Sequence, residues 1–301
     1  MTITRIRLEN FTAFKQLDLA PSSGINILIG ANGTGKTHLM KVAYAACDVS
    51  KTGKNFAQKL VDVFLPSGRM LGRLARRTQG SSGGVAEIHR GKLKLRISFS
   101  NRTSKPESAK IAGAREWNGK PVESVYVPVK EMLANAPGFR SLYGQRDVHF
   151  EEVYADILDR AYRPALRGRM DGRRKKLLER MQRLIKGKVA TKEEEFFLRS
   201  KRGNLEFPLL AEGMRKIGLL WLLVQNGTLS KSSVLFWDEP EANLSLKMMG
   251  PIVDILLELQ RMGVQIFLAT HNYVLLKEFD LRRKAEDDVL LHAFYEDKAT
   301  G

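Results

Sequence analysis

The chain has 301 residues and a single cysteine, Cys47. It can therefore form neither an internal disulfide nor a cysteine-based zinc site, and a reducing compartment suits it. Long apolar stretches are also missing. The longest strongly hydrophobic run, Ile217 to Val224, falls well below the roughly 20 residues a bilayer span requires. The opening MTITRIRLENF alternates charged and apolar residues and lacks the apolar centre of a signal peptide. A cytoplasmic protein without membrane insertion is expected. Acid is scarce: 33 Asp and Glu stand against 50 Lys and Arg, giving a formal charge of +17 and a pI near 10.0. This deficit favours polyanionic partners, nucleic acid before an anionic membrane surface. No internal repeat occurs, so a solenoid or propeller is excluded.

What is present follows two periods. Ile6 and Leu8 alternate with Arg5 and Arg7, and the run INILIG (Ile25 to Gly30) is largely apolar, so the first thirty residues read as strands. From Lys36 the apolar residues Leu39, Val42, Ala43 and Ala46 recur at helical spacing. KLKLRISFS (Lys92 to Ser100) is a half-buried strand with Lys92, Lys94 and Arg96 on its outer face, and SVYVPV (Ser124 to Val129) is a short central strand. Strand signals then vanish until about Gly203. Between Arg160 and Lys188 twelve basic residues face only Asp171 and Glu179, and Leu177, Leu178, Met181, Leu184 and Ile185 mark one apolar helical stripe. Alternation resumes with a helix at Glu212 to Gln225, a strand at Val234 to Trp237, a helix at Pro251 to Met262 and a strand at Val264 to Ala269. The expected architecture is α/β, with a mostly parallel sheet covered by helices. Residues 1–129 and 205–301 should make one head, with 130–204 inserted as a basic helical segment serving as a lid or as a contact for DNA or a partner.

Three motifs carry chemistry. GANGTGKT, comprising Gly30, Ala31, Asn32, Gly33, Thr34, Gly35, Lys36 and Thr37, fits the P-loop pattern and stands between an apolar strand and a helix. Its glycines let backbone N–H groups wrap phosphates, and the helix N-terminus adds partial positive charge. Lys36 should reach the β- and γ-phosphates of ATP, and the Thr37 hydroxyl should ligate Mg²⁺. LFWDEPEANL then explains itself. Two adjacent carboxylates at a strand end repel each other unless a cation intervenes. Asp238 is expected to hold the Mg²⁺ through water and Glu239 to act as general base toward the attacking water. His271, in FLATHNY, ends another apolar strand, a place from which it could touch the γ-phosphate or Glu239.

In this order and spacing, GANGTGKT, DEPEANL and ATHN resemble the ABC-type ATPase heads shared by RecF, SMC and OLD-family proteins. The opening RIRLENFTAF followed by GINILIGANGTGKT is similar to the RecF and OLD branch, the AAA-type ATP-binding proteins of bacterial defence islands. The resemblance covers about residues 1–129 and 205–301. It implies a P-loop NTPase head with an N-terminal antiparallel β subdomain. It further implies a homodimer closed as an ATP sandwich, in which a signature sequence of one protomer contacts the nucleotide of the other; higher oligomers remain open.

Within that resemblance, LLAEGMRK (Leu209 to Lys216) stands at the signature position. Gly213 fits, but Ala211 occupies the place of the serine of transporter-type heads, so Glu212, Arg215, Lys216 or the helix terminus would have to replace that contact. Gln79 resembles the glutamine that links Mg²⁺ to the helical lobe, and reads equally well as a loop glutamine. Ser245 stands where the dimer-contacting loop usually carries aspartate. With thirty residues after His271, neither a Toprim nuclease domain nor a long coiled coil is expected. The leading expectation is a Mg²⁺-dependent ATPase whose ATP-driven dimerisation is coupled to DNA or to a separate effector such as a nuclease or toxin, in antiphage defence or DNA metabolism. A scaffold that holds or inhibits a toxin or nuclease, and a cytoplasmic transporter subunit, are the alternatives.

Overall fold

Alternation in the sequence becomes alternation in space at the N-terminus. In the computed structural model, which describes residues 2–77, 80–145, 148–168, 170–201 and 203–295, strand β1 (Arg5–Phe11) buries Ile6 and Leu8 completely. Its Arg5 and Arg7 occupy the other face. β1 pairs antiparallel with β2 (Phe14–Leu19). β3 (Ile25–Gly30) is buried from Ile25 to Leu28, as expected of an interior parallel strand, and holds the buried polar Asn26. The P-loop leads into α1 (Lys36–Thr52) and then α2 (Phe56–Phe64). β4 (Gly83–Arg90), β5 (Leu93–Ser100) and the short β6 (Lys110–Ala112) return to β1, completing an antiparallel sheet of order β2-β1-β4-β5-β6. α3 (Ala114–Asn118) and β7 (Ser124–Val127) follow. The antiparallel β subdomain expected from the sequence is thus present.

The outer face of this sheet is ordered by charge. Cross-strand register sets Asp18 opposite Arg7, Arg7 opposite Glu87, and Glu87 opposite Arg96, so sign alternates across four strands. Lys94 and Arg96 each come within 3.6 Å of Glu87. Such pairs contribute roughly 0.2–1 kcal/mol each. The outward cations Lys94 and Arg96 of β5 are therefore partly answered inside their own sheet.

α1 is buried along most of its length, and small residues Ala43, Ala45 and Ala46 allow that close packing. Two polar links hold its surroundings: the Trp117 indole donates to the Ala46 carbonyl at 2.7 Å, and Lys59 of α2 lies 2.9 Å from Asp48 with both side chains out of solvent. Removing one member of such a buried pair costs about 3–5 kcal/mol, because the other charge is left uncompensated.

Residues Val125–Val264 and Asn272–Asp287 form a second compact unit. α4 (Phe139–Gln145), α5 (Glu152–Ala161) and α6 (Gly172–Ile185) come first, and α6 buries Leu177, Leu178, Met181 and Ile185 as its stripe requires. The segment then departs from the wholly helical expectation. β8 (Lys188–Lys192), β9 (Glu195–Ser200) and β10 (Gly203–Glu206) make a three-stranded antiparallel sheet. The β8–β9 turn hid it. Glu193 and Glu194 adopt φ 49° and 65°, a turn that tight hairpins usually make with Asn-Gly or similar pairs. A run of charge therefore concealed a reversal of the chain.

α7 (Glu212–Gln225) has the expected limits, and β11 (Val234–Asp238) is fully buried beside β7. α8 (Leu246–Arg261) begins five residues before Pro251, which sits inside the helix instead of opening it. β12 (Gln265–Thr270), α9 (Tyr273–Arg282) and β13 (Val289–Phe294) end the described chain. The first unit comprises Met1–Ser124, Gln265–His271 and Asp288–Gly301; the second comprises Val125–Val264 and Asn272–Asp287. In the first, β13, β3 and β12 lie parallel in that order, with Ile27 between Leu291 and Leu268. Segment 130–204 lies wholly inside the second unit.

Candidate functional site

Backbone geometry builds the P-loop. Gly33 and Gly35 have φ of +85° and +91°, a region L side chains rarely enter. A Cβ on Gly35 would also fall 2.6 Å from the Phe14 ring. Both conditions demand glycine there. Gly35 is the N-cap of α1 and has no side-chain cap, so the first amides of the helix have no side-chain acceptor at that position. The Lys36 ammonium donates to the carbonyls of Gly30 and Ala31, both at 2.7 Å, and the Thr34 hydroxyl donates to the Ala31 carbonyl at 2.9 Å. Thr37 is half-buried in the first turn, while Ala31, Asn32 and Gly33 are exposed. The loop is a cradle of amides with one cation across it, which is the chemistry an oligophosphate needs.

Other residues of the first unit frame this loop. Thr270 is in register with Ile29, so His271 follows at the same sheet end as Gly30, and it is exposed. A cleft of about 1560 Å³ opens beside Ala31 to Thr34, walled by the β1–β2 turn, β2, Arg73 to Arg77 and β13. Its cations include Lys15, Arg73 and Arg77. Sequence reading found neither β13 nor this wall, since the residues that form it are scattered over the whole unit. His38, also at the wall, is held below the usual histidine range by burial and then by Lys41, so it is neutral at physiological pH. Gln79 lies outside the described residues.

In the second unit, side chains do the holding. Asp238 ends β11 at 5% exposure, and the Tyr126 hydroxyl of β7 donates to its Oδ2 at 3.2 Å. Glu239 follows with φ 44°, left-handed backbone in a residue without glycine's freedom. Such a conformation costs about 1–3 kcal/mol and persists only where surroundings enforce it. The enforcing contacts lie close by. The Ala242 amide donates to the Glu239 carbonyl at 3.0 Å, the Leu244 amide to the Glu241 carbonyl at 3.0 Å, and Asn243 (φ 58°) donates to Glu212 at 3.0 Å. Lys216 donates to the Ala242 carbonyl.

The residues offered for the missing signature serine make contacts within their own unit. Lys216 is 1% exposed, and burial lowers its pKa against the opposing pull of Glu212 and Glu241. Arg215 lies 2.6 Å from the buried Glu131 and donates to the Leu210 carbonyl at 3.0 Å. Both cations are committed to the inside of their own unit. Glu212 binds Asn243, and Gly213 is buried, with room for a Cβ only if Leu244 shifts. Ser245 is the N-cap of α8 but makes no side-chain cap bond, and it is exposed.

Among the described residues no group of three or more His, Cys, Asp and Glu side chains could hold a metal ion by itself. Nor is any helix of those residues long and apolar enough to cross a membrane.

The fold is that of an ABC-type ATPase head of the RecF and SMC group. The SMC head domain of Thermotoga maritima superposes with a TM-score of 0.51 over 97% of this chain and 94% of its own, at 15% identity. An SMC head bound to the C-winged helix domain of ScpA gives 0.56 over 92% of each chain at 12% identity. A family model described as "AAA domain, putative AbiEii toxin, Type IV TA system" matches residues 25–277, and the chain belongs to that family. By sequence the chain is also similar to the DNA replication and repair protein RecF of Yersinia enterocolitica, 29% identical over 102 residues, and to that of Nitrosococcus oceani, 46% identical over 44 residues. These alignments cover 32% and 15% of this chain, and span only 27% and 12% of the RecF proteins.

Proposed function

We propose that this protein binds ATP with Mg²⁺ and hydrolyses it, and that nucleotide-dependent pairing of two copies transmits the cycle to DNA or to a separate effector. The observation that carries the reading is the P-loop itself, with Gly33 and Gly35 in left-handed backbone, an N-cap without a side-chain cap, and Lys36 spanning the loop. Lys36 would exchange its carbonyl partners for phosphate oxygens. Thr37 would ligate Mg²⁺ and Asp238 would hold it through water, a hydroxyl and a carboxylate that suit this hard cation once phosphate and water complete its shell. When bound, the ion would neutralise the charge that develops on the transferring phosphoryl group. Glu239 would take the proton of the attacking water, and His271 would contact the γ-phosphate. Gln79 and Gly213 complete the assignment, the first as a further metal link and the second at the contact in trans. The cleft beside the loop offers room for the nucleoside. ATP turnover with phosphate release tests the reading: turnover unaffected by Lys36→Ala would overturn it.

For the effector half, the family description and the RecF relatives support a role in defence or in DNA metabolism. Segment 130–204 serves as the partner or DNA contact, but not with all its cations. Arg173 and Arg174 donate to backbone carbonyls of Arg261 and Val224 at 3.1 and 2.9 Å, Arg180 pairs with Asp254, and Arg160 is buried. Lys176, Arg183, Lys186 and Lys188 are exposed and supply the outward charge. If they meet DNA, log affinity should fall against log salt with a slope near −0.9 for each phosphate neutralised. Salt-independent association would instead favour a protein effector or the scaffold reading.

A further inference from the structure

Beyond the acids of the DEPEANL segment, one buried hydroxyl has a place that core packing alone does not require. Tyr126 is 2% exposed in the middle of β7, between Val125 and Val127, which are also buried. A phenylalanine would fill that volume as well, and a buried hydroxyl is tolerated only where it finds a partner. The partner is Asp238, whose Oδ2 accepts from Tyr126 at 3.2 Å across 112 residues of sequence. Asp238 is itself 5% exposed at the end of β11, the strand beside β7.

We propose that Tyr126 is a positioning residue for the metal-binding acid: its hydroxyl holds one oxygen of Asp238 and so fixes the direction in which the carboxylate meets a nucleotide-bound Mg²⁺. The inference rests on the assignment of Asp238 to the metal and deepens it. A carboxylate on a strand end can rotate about its side-chain torsions, and each rotation redirects its lone pairs. A donor on one oxygen restricts that rotation, as hydrogen-bond partners of metal ligands generally do. Tyr126 is fitted for this, because a phenolic hydroxyl is a hydrogen-bond donor on a rigid ring that its buried neighbours hold in place.

The experiment compares the full chain with Tyr126→Phe, Asp238→Asn and Val125→Ala. A fluorescent, non-hydrolysable ATP analogue is titrated in EDTA and at increasing Mg²⁺, and a thermal melt accompanies each variant. Tyr126→Phe should bind nucleotide in EDTA as the parent does, yet need roughly 10- to 100-fold more Mg²⁺ to reach the metal-tightened state, the usual cost of losing a ligand's hydrogen-bond partner. Val125→Ala, which opens a cavity in the same strand without touching Asp238, should melt lower and keep the parent's Mg²⁺ dependence. An unchanged Mg²⁺ requirement in Tyr126→Phe, with Asp238→Asn impaired, overturns the positioning role and leaves the metal assignment standing. The parent's Mg²⁺ dependence in Asp238→Asn overturns the assignment itself, and this inference with it. An equal Mg²⁺ shift in Val125→Ala and Tyr126→Phe would mean that β7 acts only through packing.

Discussion

The P-loop and the acid loop are held in different ways. Gly30 to Thr37 takes its shape from its own residues: glycines at φ +85° and +91°, a lysine bonded to carbonyls five and six positions back, and a threonine bonded three back. Asp238 to Ser245 takes its shape partly from elsewhere. Tyr126 lies 112 positions away from Asp238, Glu212 lies 31 from Asn243, and Lys216 lies 26 from Ala242. A site that works through backbone amides can be specified locally, since glycine spacing sets the dihedrals. A site that works through carboxylates needs distant partners to aim them.

Breaking each side should give different signatures. The largest effect is expected at Glu239→Gln, which removes the carboxylate proposed as the base. ATP should still bind while phosphate release falls by roughly 10²- to 10⁴-fold. Lys36→Ala should act on binding first, weakening nucleotide affinity by about 10- to 100-fold through loss of charge-assisted hydrogen bonds, as equilibrium titration will read. Gly35→Ala tests the local side directly. Strained backbone and the Phe14 contact should cost about 1–3 kcal/mol in chemical denaturation, with nucleotide binding lost in parallel.

On the distant side, Lys216→Met removes a donor from the Ala242 carbonyl and a cation from Glu212. We expect a loss of about 1–3 kcal/mol in denaturation and slower turnover, with nucleotide affinity in EDTA retained. The smallest effect belongs to the charge ladder of the antiparallel sheet. Arg5, through a 2.7 Å hydrogen bond, and then Arg7 hold the Asp18 carboxyl down to about 2. Because the folded-state pKa is depressed, this contribution is complete above the normal carboxylate range and is lost as pH falls toward about 2. The pair is solvent-screened, so Asp18→Asn should change stability by less than about 1 kcal/mol at neutral pH. Its difference from the parent should shrink in melts taken between pH 4 and pH 2.

Legibility in the sequence follows the same division. β1, β3, α1, α7 and β11 could be read because each carries a hydrophobic period or run that burial then uses. The β8–β9 hairpin could not, because its turn uses two glutamates where the usual signal is glycine or asparagine. β13, with exposed Leu290 and Leu291, carries no clean alternation, and its place follows only from pairing with β3. Charge was the least faithful guide. Of the cations in the basic segment, Arg173, Arg174 and Arg180 serve as internal anchors, and composition does not distinguish an anchoring arginine from a solvated one.

The amino-acid sequence by itself determined the P-loop, the strand that precedes it, the helix it opens and the pair of acids at the end of β11, because those features depend on neighbouring residues. Tertiary structure decided the rest. It turned Lys216 and Arg215 inward, set His271 at the sheet end of Gly30, and brought the Tyr126 hydroxyl to Asp238. A side chain's direction and protonation depend on the groups that surround it in space, and those groups come from residues far along the chain.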